Sequence, residues 1–473
     1  MIKAAAVVRG QLLGQSTDGG TRVSVPAYIS YTGAQTCFAF NNNITADCAV
    51  PIGTDPNRTV ASVTSAGLYN PLYYALVGWP SLLFTTDAGV YAMRLVSGIL
   101  ASLFLAFAFM MVSTWPRRTL PVLGLAAAVT PMVFFLDAVV NPNSVEITAT
   151  LAAFVGVLGM VKYPSASHFV QRSMIVLVSA AVAVNMRGVS PLWVAFALLV
   201  PFVFSTRGQI RELIGRWPVR IAVIGIALAT AAAVAWTLFS NSLGAGVGSS
   251  AHQVAGLGVG ASPLGEFVQI FTGTFDYAQG YVGIFGWLDT PSPPAVYIVW
   301  SGFIGGLVIA AFALLRGKAF VFSLVLVVGL ALLPPILQAA YALQGGGIIW
   351  QGRYALPLFV CVMVGLAAAI SDRIPAVEIS TVRRFLFAVT TLWLGSQICA
   401  FVVTLKRYSV GTSGHGATLR RMFFDPSWNP PGGTPAVTVA FVVVCAGAAF
   451  LLFRTIQPAA FSRPPENSRR TPE

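Results

Sequence analysis

The chain has 473 residues, 56% hydrophobic and only 9% charged, against roughly 25% charged in an average soluble domain. Its mean hydropathy is +0.78. So few charges cannot cover a soluble surface of this size, which excludes a soluble enzyme, a disordered chain and a nucleic-acid-binding module and makes the lipid bilayer the solvent for most of it. The net charge of +13, from 28 Lys+Arg against 15 Asp+Glu, fits the basic cytoplasmic loops of membrane proteins and gives nucleic acid no role.

Residues 1–87 hold Gly, Asn, Thr and Asp throughout, with one short apolar patch at Ala4–Val8. They read as an extracytoplasmic first loop with membrane-edge helices. Cys37 and Cys48 are close enough in sequence for a loop disulfide, which suits an exported segment; two unpaired thiols are the alternative. Asn43-Ile44-Thr45 and Asn57-Arg58-Thr59 match the glycosylation triplet, a pattern common by chance in such loops. Asn70-Pro71-Leu72-Tyr73-Tyr74 opens an apolar stretch lying along the membrane, with an interfacial aromatic belt as the plainer reading.

Apolar spans follow at about 88–112, 119–136, 145–161, 173–186, 190–205, 219–239, 295–315, 319–341, 354–370, 385–405 and 436–453. These eleven runs predict an all-α polytopic bundle over 88–455 with outer loops at 240–294 and 406–435. Their length excludes a β-barrel, whose strands alternate in short segments. The short spans 173–186 and 190–205 flank Asn185-Met186-Arg187-Gly188 and read as a hairpin that does not fully cross. The tail 456–473 reads as disordered and cytoplasmic. Five cysteines and three histidines show no metal-binding spacing.

The connections at Arg117-Arg118, Lys162–Arg172, Arg207–Arg220, Arg316–Lys318 and Arg373–Arg384 share one side with the tail and hold 17 of the 28 basic residues and 5 of the 15 acids. That side is expected to be cytoplasmic. Eleven spans then place residue 1 outside, with no basic and apolar leader to carry the first loop across. The expectation is one apolar helix preceding Met1.

A charge within or at the edge of a membrane usually lines a cavity. Five places on the outer side qualify: Tyr73 and Tyr74; Arg94, which can also snorkel to the interface; Asp137 and Glu146, around the break at Pro142; Trp287 and Asp289 in Gly283–Pro291; and Gln351, Arg353 and Tyr354 in Gln351-Gly352-Arg353-Tyr354. Glu146, in the first turn of a helix, could simply favour the helix dipole. Arg353 beside a helix N-terminus favours an anion, and its fork matches phosphate; a snorkelling arginine with a tyrosine anchor is the alternative.

Tyr69–Tyr74, Asn141–Ser144, Phe285-Gly-Trp-Leu-Asp-Thr-Pro291 and Gln351–Tyr354 together resemble a bacterial family of polytopic proteins of unknown function, with many actinobacterial members. Its layout is similar to GT-C glycosyltransferases, which take a sugar from a polyprenyl-phosphate carrier outside the membrane. The resemblance spans about residues 4–455. It implies a leading helix and an acidic Pro-Asp-Glu stretch just before this sequence, where the main catalytic acid would lie. Members often have Ser-Pro-Asp where this chain has Asn143, leaving Asp137 and Glu146 as the nearby carboxylates.

The expected protein is therefore a multi-pass protein of the bacterial cytoplasmic membrane, with a cytoplasmic C-terminus. It would transfer a glycosyl unit from a polyprenyl-phosphate-linked sugar to a cell-envelope acceptor. Arg353 and Arg187 would hold the phosphate, and Asp137, Glu146 or Asp289 would serve the hydroxyl chemistry. A divalent metal is compatible with this chemistry, but no motif requires one. A transporter or flippase of lipid-linked sugars, which should show paired broken helices, and a non-catalytic assembly subunit are the alternatives.

Overall fold

Eight helices among the described residues are long and apolar enough to cross a membrane, and a ninth span is broken. The computed structural model describes residues 1–17, 20–52, 58–243, 262–344, 346–373 and 379–456. The tail after Ile456, residues 244–261 of the outer loop and the triplet at Asn57 lie outside them. The first loop contributes α1 (Ile2–Val7), β1 (Gln15–Thr17), β2 (Gly20–Pro26), β3 (Thr59–Thr64) and α2 (Pro71–Gly78). The bundle comprises α3 (Asp87–Ser113), α4 (Thr119–Ala128), α5 (Pro131–Asp137), α6 (Pro142–Lys162), α7 (Phe169–Ala183), α8 (Ser190–Leu199), α9 (Arg207–Gly215) and α10 (Trp217–Ser240). It continues with α11 (Pro263–Thr272), α12 (Thr274–Val282), α13 (Pro294–Leu314), α14 (Lys318–Ala342), α15 (Leu356–Ser371), α16 (Ile379–Val410) and α17 (Thr434–Ile456).

At the centre stand α6 and α15, both almost wholly buried. Their sequences explain this: Ala149, Ala152, Ala153, Gly156 and Gly159 on α6, and Gly365 and Ala367–Ala369 on α15, are small enough for neighbouring helices to approach closely. At the periphery α10 and α17 bury little and turn apolar side chains outward, as lipid-facing helices do.

The broken span is α4 and α5, bent by 63°. Pro131 has no N–H to continue the helix. Thr130 caps the new start, its Oγ accepting the Val133 N–H at 3.4 Å and donating to the Tyr281 carbonyl at 2.6 Å. The freed carbonyls meet fixed donors: Trp300 Nε1 on Ala127 at 2.9 Å and Gln397 Nε2 on Val129 at 2.8 Å. Non-helical backbone at membrane depth is tolerated when protein satisfies it in this way.

The two short helices of the expected hairpin both pack along α6. At one end Arg172, in α7, donates to the carbonyls of Gly159 and Tyr163, and Lys162 lies 5.2 Å from the Phe204 ring that follows α8. At the other end Ser190, opening α8, bonds to Glu146. Both helices therefore run the stretch of α6 from Glu146 to Lys162, about 24 Å at 1.5 Å per residue. The turn between them reaches the end of the bundle where the first loop sits, Asn70 donating to Asn185.

That loop holds an antiparallel sheet in the order β1–β2–β3, with Gln15 opposite Arg22 and Val25 opposite Val60. Along β2, Val23 and Val25 are buried and alternate with exposed Arg22 and Ser24. The whole of α1 is buried; Lys3 donates to the carbonyls of Leu12 at 2.5 Å and Gly67 at 2.8 Å.

Candidate functional site

The turn from α7 to α8 is tied at two points. Asn70, the N-cap of α2, donates to Asn185 Oδ1 at 2.9 Å. Ser190 Oγ accepts the Arg187 backbone N–H at 2.9 Å and donates to Glu146 Oε1 at 2.5 Å. The turn so held carries Arg187, whose guanidinium lies over the Tyr354 ring at 4.3 Å. Its Nη1 is buried and makes no hydrogen bond among the described residues.

Arg353 approaches the same ring from its own segment, at 6.0 Å from the centroid, and its Nε is likewise buried without a partner. Gly352 sets its place. A Cβ at Gly352 would stand 1.9 Å from the Tyr277 carbonyl oxygen, and the Gly280 Cα would be at 3.0 Å. Only glycine lets the Gln351–Tyr354 turn press onto α12. Two guanidiniums on one tyrosine repel each other, and neither forms an ion pair within 4 Å among the described residues. Such a pair attracts an anion.

A cavity of about 420 Å³ opens beside them. Arg187, Tyr69, Asn70 and Tyr354 give it a polar and aromatic wall; Val189, Leu243, Leu337 and Ala340 give it an apolar one; Gln338, Tyr341 and Trp350 also line it. Arg353 is not on the wall but behind Tyr354, so the cavity puts Arg187 first and Arg353 second, the reverse of the order read from sequence.

Tyr73 and Tyr74 are buried, with rings 5.3 Å apart, so they are core residues and not an interfacial belt. The Tyr73 hydroxyl bonds Ser97 Oγ at 2.8 Å, and Ser97 Oγ in turn donates to the Val139 carbonyl. Asp137 is 9% exposed, and its Oδ1 has no partner. Glu146 is fully buried, with Oε2 unpartnered. The structure thus joins Arg187, Arg353 and Tyr354 in one cluster, with Glu146 linked to it through Ser190. The Gln351 carbonyl accepts the Tyr354 N–H at 3.0 Å, and its Oε1 is buried without a partner.

The other candidates go elsewhere. Asp289 pairs with Arg407 at 2.9 Å, both side chains nearly inaccessible, and also accepts from Thr290 and the Trp287 N–H. Its carboxylate is committed to holding a loop. Arg407 further donates to the carbonyls of Phe38, Asn41 and Ile44, all inside the loop closed by the Cys37–Cys48 disulfide, whose Cα atoms are 6.1 Å apart. Trp287 is 44% exposed and lies 5.4 Å from Phe40 of that loop. Arg94 donates to the Ala138 carbonyl at 2.9 Å, where a cation suits a helix C-terminus. None of these lines the cavity, and neither do Asp137, Glu146, Tyr73 and Tyr74.

Sequence reasoning missed Ser190, Glu266 and Gln338. Gln338 carried a signal, a lone amide in the apolar run of α14 just after Pro334-Pro335. Among the described residues no three His, Cys, Asp or Glu side chains converge as metal ligands would.

The family model described as Predicted membrane protein (DUF2142) matches residues 1–362. Among solved structures, ArnT from Cupriavidus metallidurans in the apo state is 14% identical with a TM-score of 0.43, over 97% of this chain and 72% of that one. The same protein bound to undecaprenyl phosphate gives 14% and 0.41, over 97% and 73%. The archaeal oligosaccharyltransferase AglB from Archaeoglobus fulgidus, in complex with an inhibitory peptide and a dolichol-phosphate, gives 14% and 0.32, over 98% of this chain and 56% of that one. The chain thus spans a little over half the length of the archaeal enzyme. No curated protein matches in sequence.

Proposed function

The chain belongs to the DUF2142 family of predicted membrane proteins, and we propose that it is a glycosyltransferase of GT-C type that moves a sugar from a polyprenyl-phosphate donor to an extracytoplasmic acceptor. One observation carries the reading. Two guanidiniums, each with a buried N–H lacking a partner among the described residues, meet on Tyr354 at a cavity that is aromatic on one wall and apolar on another. Arginine forks suit phosphate, aromatic faces suit sugar rings, and the apolar wall suits a prenyl chain. Undecaprenyl phosphate, held by one of the similar structures, is a ligand of this chemistry.

In this reading the acceptor hydroxyl attacks the anomeric carbon and loses its proton to a carboxylate, for which Asp137 is the candidate, while the bond from sugar to phosphate oxygen breaks. Arg187, supported by Arg353, stabilises the charge gathering on the departing phosphate. No step is assigned to a metal. The protein lies in the cytoplasmic membrane with the cavity and residues 1–87 outside. Arg117, Lys162, Arg172 and Lys318 gather at the opposite end, which supports a cytoplasmic C-terminus. A transporter reading is less favoured, since the carbonyls freed at the break between α4 and α5 are taken by Trp300, Trp393 and Gln397.

The test is release of polyprenyl phosphate by the purified protein from a panel of polyprenyl-phosphate sugars with cell-envelope acceptors. Turnover with at least one donor is expected, with Asp137→Asn lowering it by about 100-fold or more while donor binding persists. Donor binding without turnover across the panel would favour the transporter or assembly reading.

A further inference from the structure

Both arginines keep free N–H groups although two buried carboxylates lie nearby. The geometry explains how. Glu146 forms no ion pair with Arg187 within 4 Å among the described residues and is joined to its backbone through Ser190: the hydroxyl donates to Glu146 Oε1 at 2.5 Å and accepts the Arg187 backbone N–H at 2.9 Å, and the Ser190 N–H returns to the Arg187 carbonyl at 3.1 Å. Glu146 and Ser190 are fully buried. The second carboxylate, Glu266 in the first turn of α11, is also fully buried. Its Oε2 accepts from Gln338 Nε2 at 2.5 Å. The same Gln338 donates to the Gly347 carbonyl at 3.1 Å and accepts the N–H groups of Ile349 at 3.2 Å and Trp350 at 3.1 Å. One amide thus pins three backbone groups of the segment that runs directly into Gln351-Gly352-Arg353.

We propose that Glu146 and Glu266 are positioning residues for the two-arginine site: each fixes, through one uncharged side chain, the backbone segment that carries a guanidinium, and so orients it without occupying its fork. The proposal rests on the reading of the cavity as a phosphate site. An ionised carboxylate only accepts hydrogen bonds, and this sets the direction of each relay. Ser190 must donate to Glu146, which leaves its lone pair for the Arg187 N–H. Gln338 must turn its NH₂ towards Glu266, which leaves its carbonyl for Ile349 and Trp350. A direct Glu–Arg pair would hold the arginine equally well but would occupy the fork that the phosphate needs.

The experiment is calorimetric titration of the purified full chain in detergent with farnesyl monophosphate, comparing wild type with Ser190→Ala, Glu146→Leu, Glu146→Gln, Glu266→Leu and Glu266→Gln. Thermal melts run alongside define the folded fraction. Ser190→Ala and both leucine variants should weaken binding per folded molecule by about tenfold or more, the order of one charged hydrogen bond lost at the phosphate. The glutamine variants, which keep an acceptor oxygen, should recover most of that loss. A residue serving stability alone would lower the melting temperature and leave affinity per folded molecule unchanged. Wild-type affinity in Ser190→Ala and Glu266→Leu overturns the proposal. If a leucine variant does not fold, Ser190→Ala and the glutamine variants still decide. Arg187→Ala and Arg353→Ala separate the two levels: wild-type affinity in both defeats the phosphate reading itself, whereas losses in both beside an unaltered Ser190→Ala defeat only the positioning role.

Discussion

Arg187→Ala is the substitution that strikes the site most directly. In the wild type Nη1 is buried and unpartnered, so a bound phosphate gains at least one charged hydrogen bond there. Such a bond is worth about 1.5–3 kcal/mol, or roughly 10- to 150-fold in Kd. Arg187→Lys keeps the charge but not the planar fork or the stacking on Tyr354 at 4.3 Å, so its loss should fall between wild type and alanine. Arg353→Ala should lie at the low end of the range, because Arg353 is behind the cavity wall and not on it. Arg94→Ala is the control: its guanidinium serves the Ala138 carbonyl, and removing it should leave affinity at the wild-type value. The assay is equilibrium binding of farnesyl monophosphate at low and high salt, since a buried contact is screened less than a surface one. Affinity of Arg187→Ala within twofold of wild type at both salts would refute the argument.

Three further outcomes follow from the outer end of the molecule. Asp289→Asn breaks a buried ion pair with Arg407 and should cost about 2–4 kcal/mol of stability, read as a lower melting temperature, with turnover per folded molecule retained; lost turnover at wild-type stability would restore Asp289 as a catalytic group. Reducing the Cys37–Cys48 bond, which closes a loop of sequence separation 11, should cost roughly 2–3 kcal/mol and make residues 37–48 the first site of proteolysis; an unchanged digestion pattern would count against it. Gly352→Ala forces a Cβ onto the Tyr277 carbonyl and should destabilise by about 1–3 kcal/mol and weaken farnesyl monophosphate binding, whereas Gly280→Ala, whose nearest contact is 3.0 Å, should do less on both counts.

The bundle was legible because lipid imposes length and apolarity on each span, and both are written locally in sequence. Even the break between α4 and α5 is marked by Thr130-Pro131. The short helices are legible by length as well, but the partners that hold their ends lie far along the chain, Lys162 at one end and Glu146 at the other. The sheet was missed although β2 alternates buried and exposed residues over Thr21–Val25. Seven residues of period-two pattern are a weak signal inside a polar loop, and only α1 packed beneath them makes the buried face visible.

The site was half legible. Arg187, Arg353, Tyr354 and Glu146 stand out because a charge or an aromatic at the end of an apolar run needs a reason. What the sequence withholds is the pairing. Asp289 and Glu146 look alike on paper, each an acid beside a turn and an outer span. The first has Arg407 within 2.9 Å, and that bond removes it from chemistry. The second bonds through Ser190 to the backbone of Arg187 and forms no ion pair within 4 Å among the described residues. Both partners come from other elements, 118 and 44 residues away. Composition can therefore nominate the charged groups of such a site, but whether a given charge is spent on the fold or kept for a ligand depends on which side chain tertiary packing brings to it.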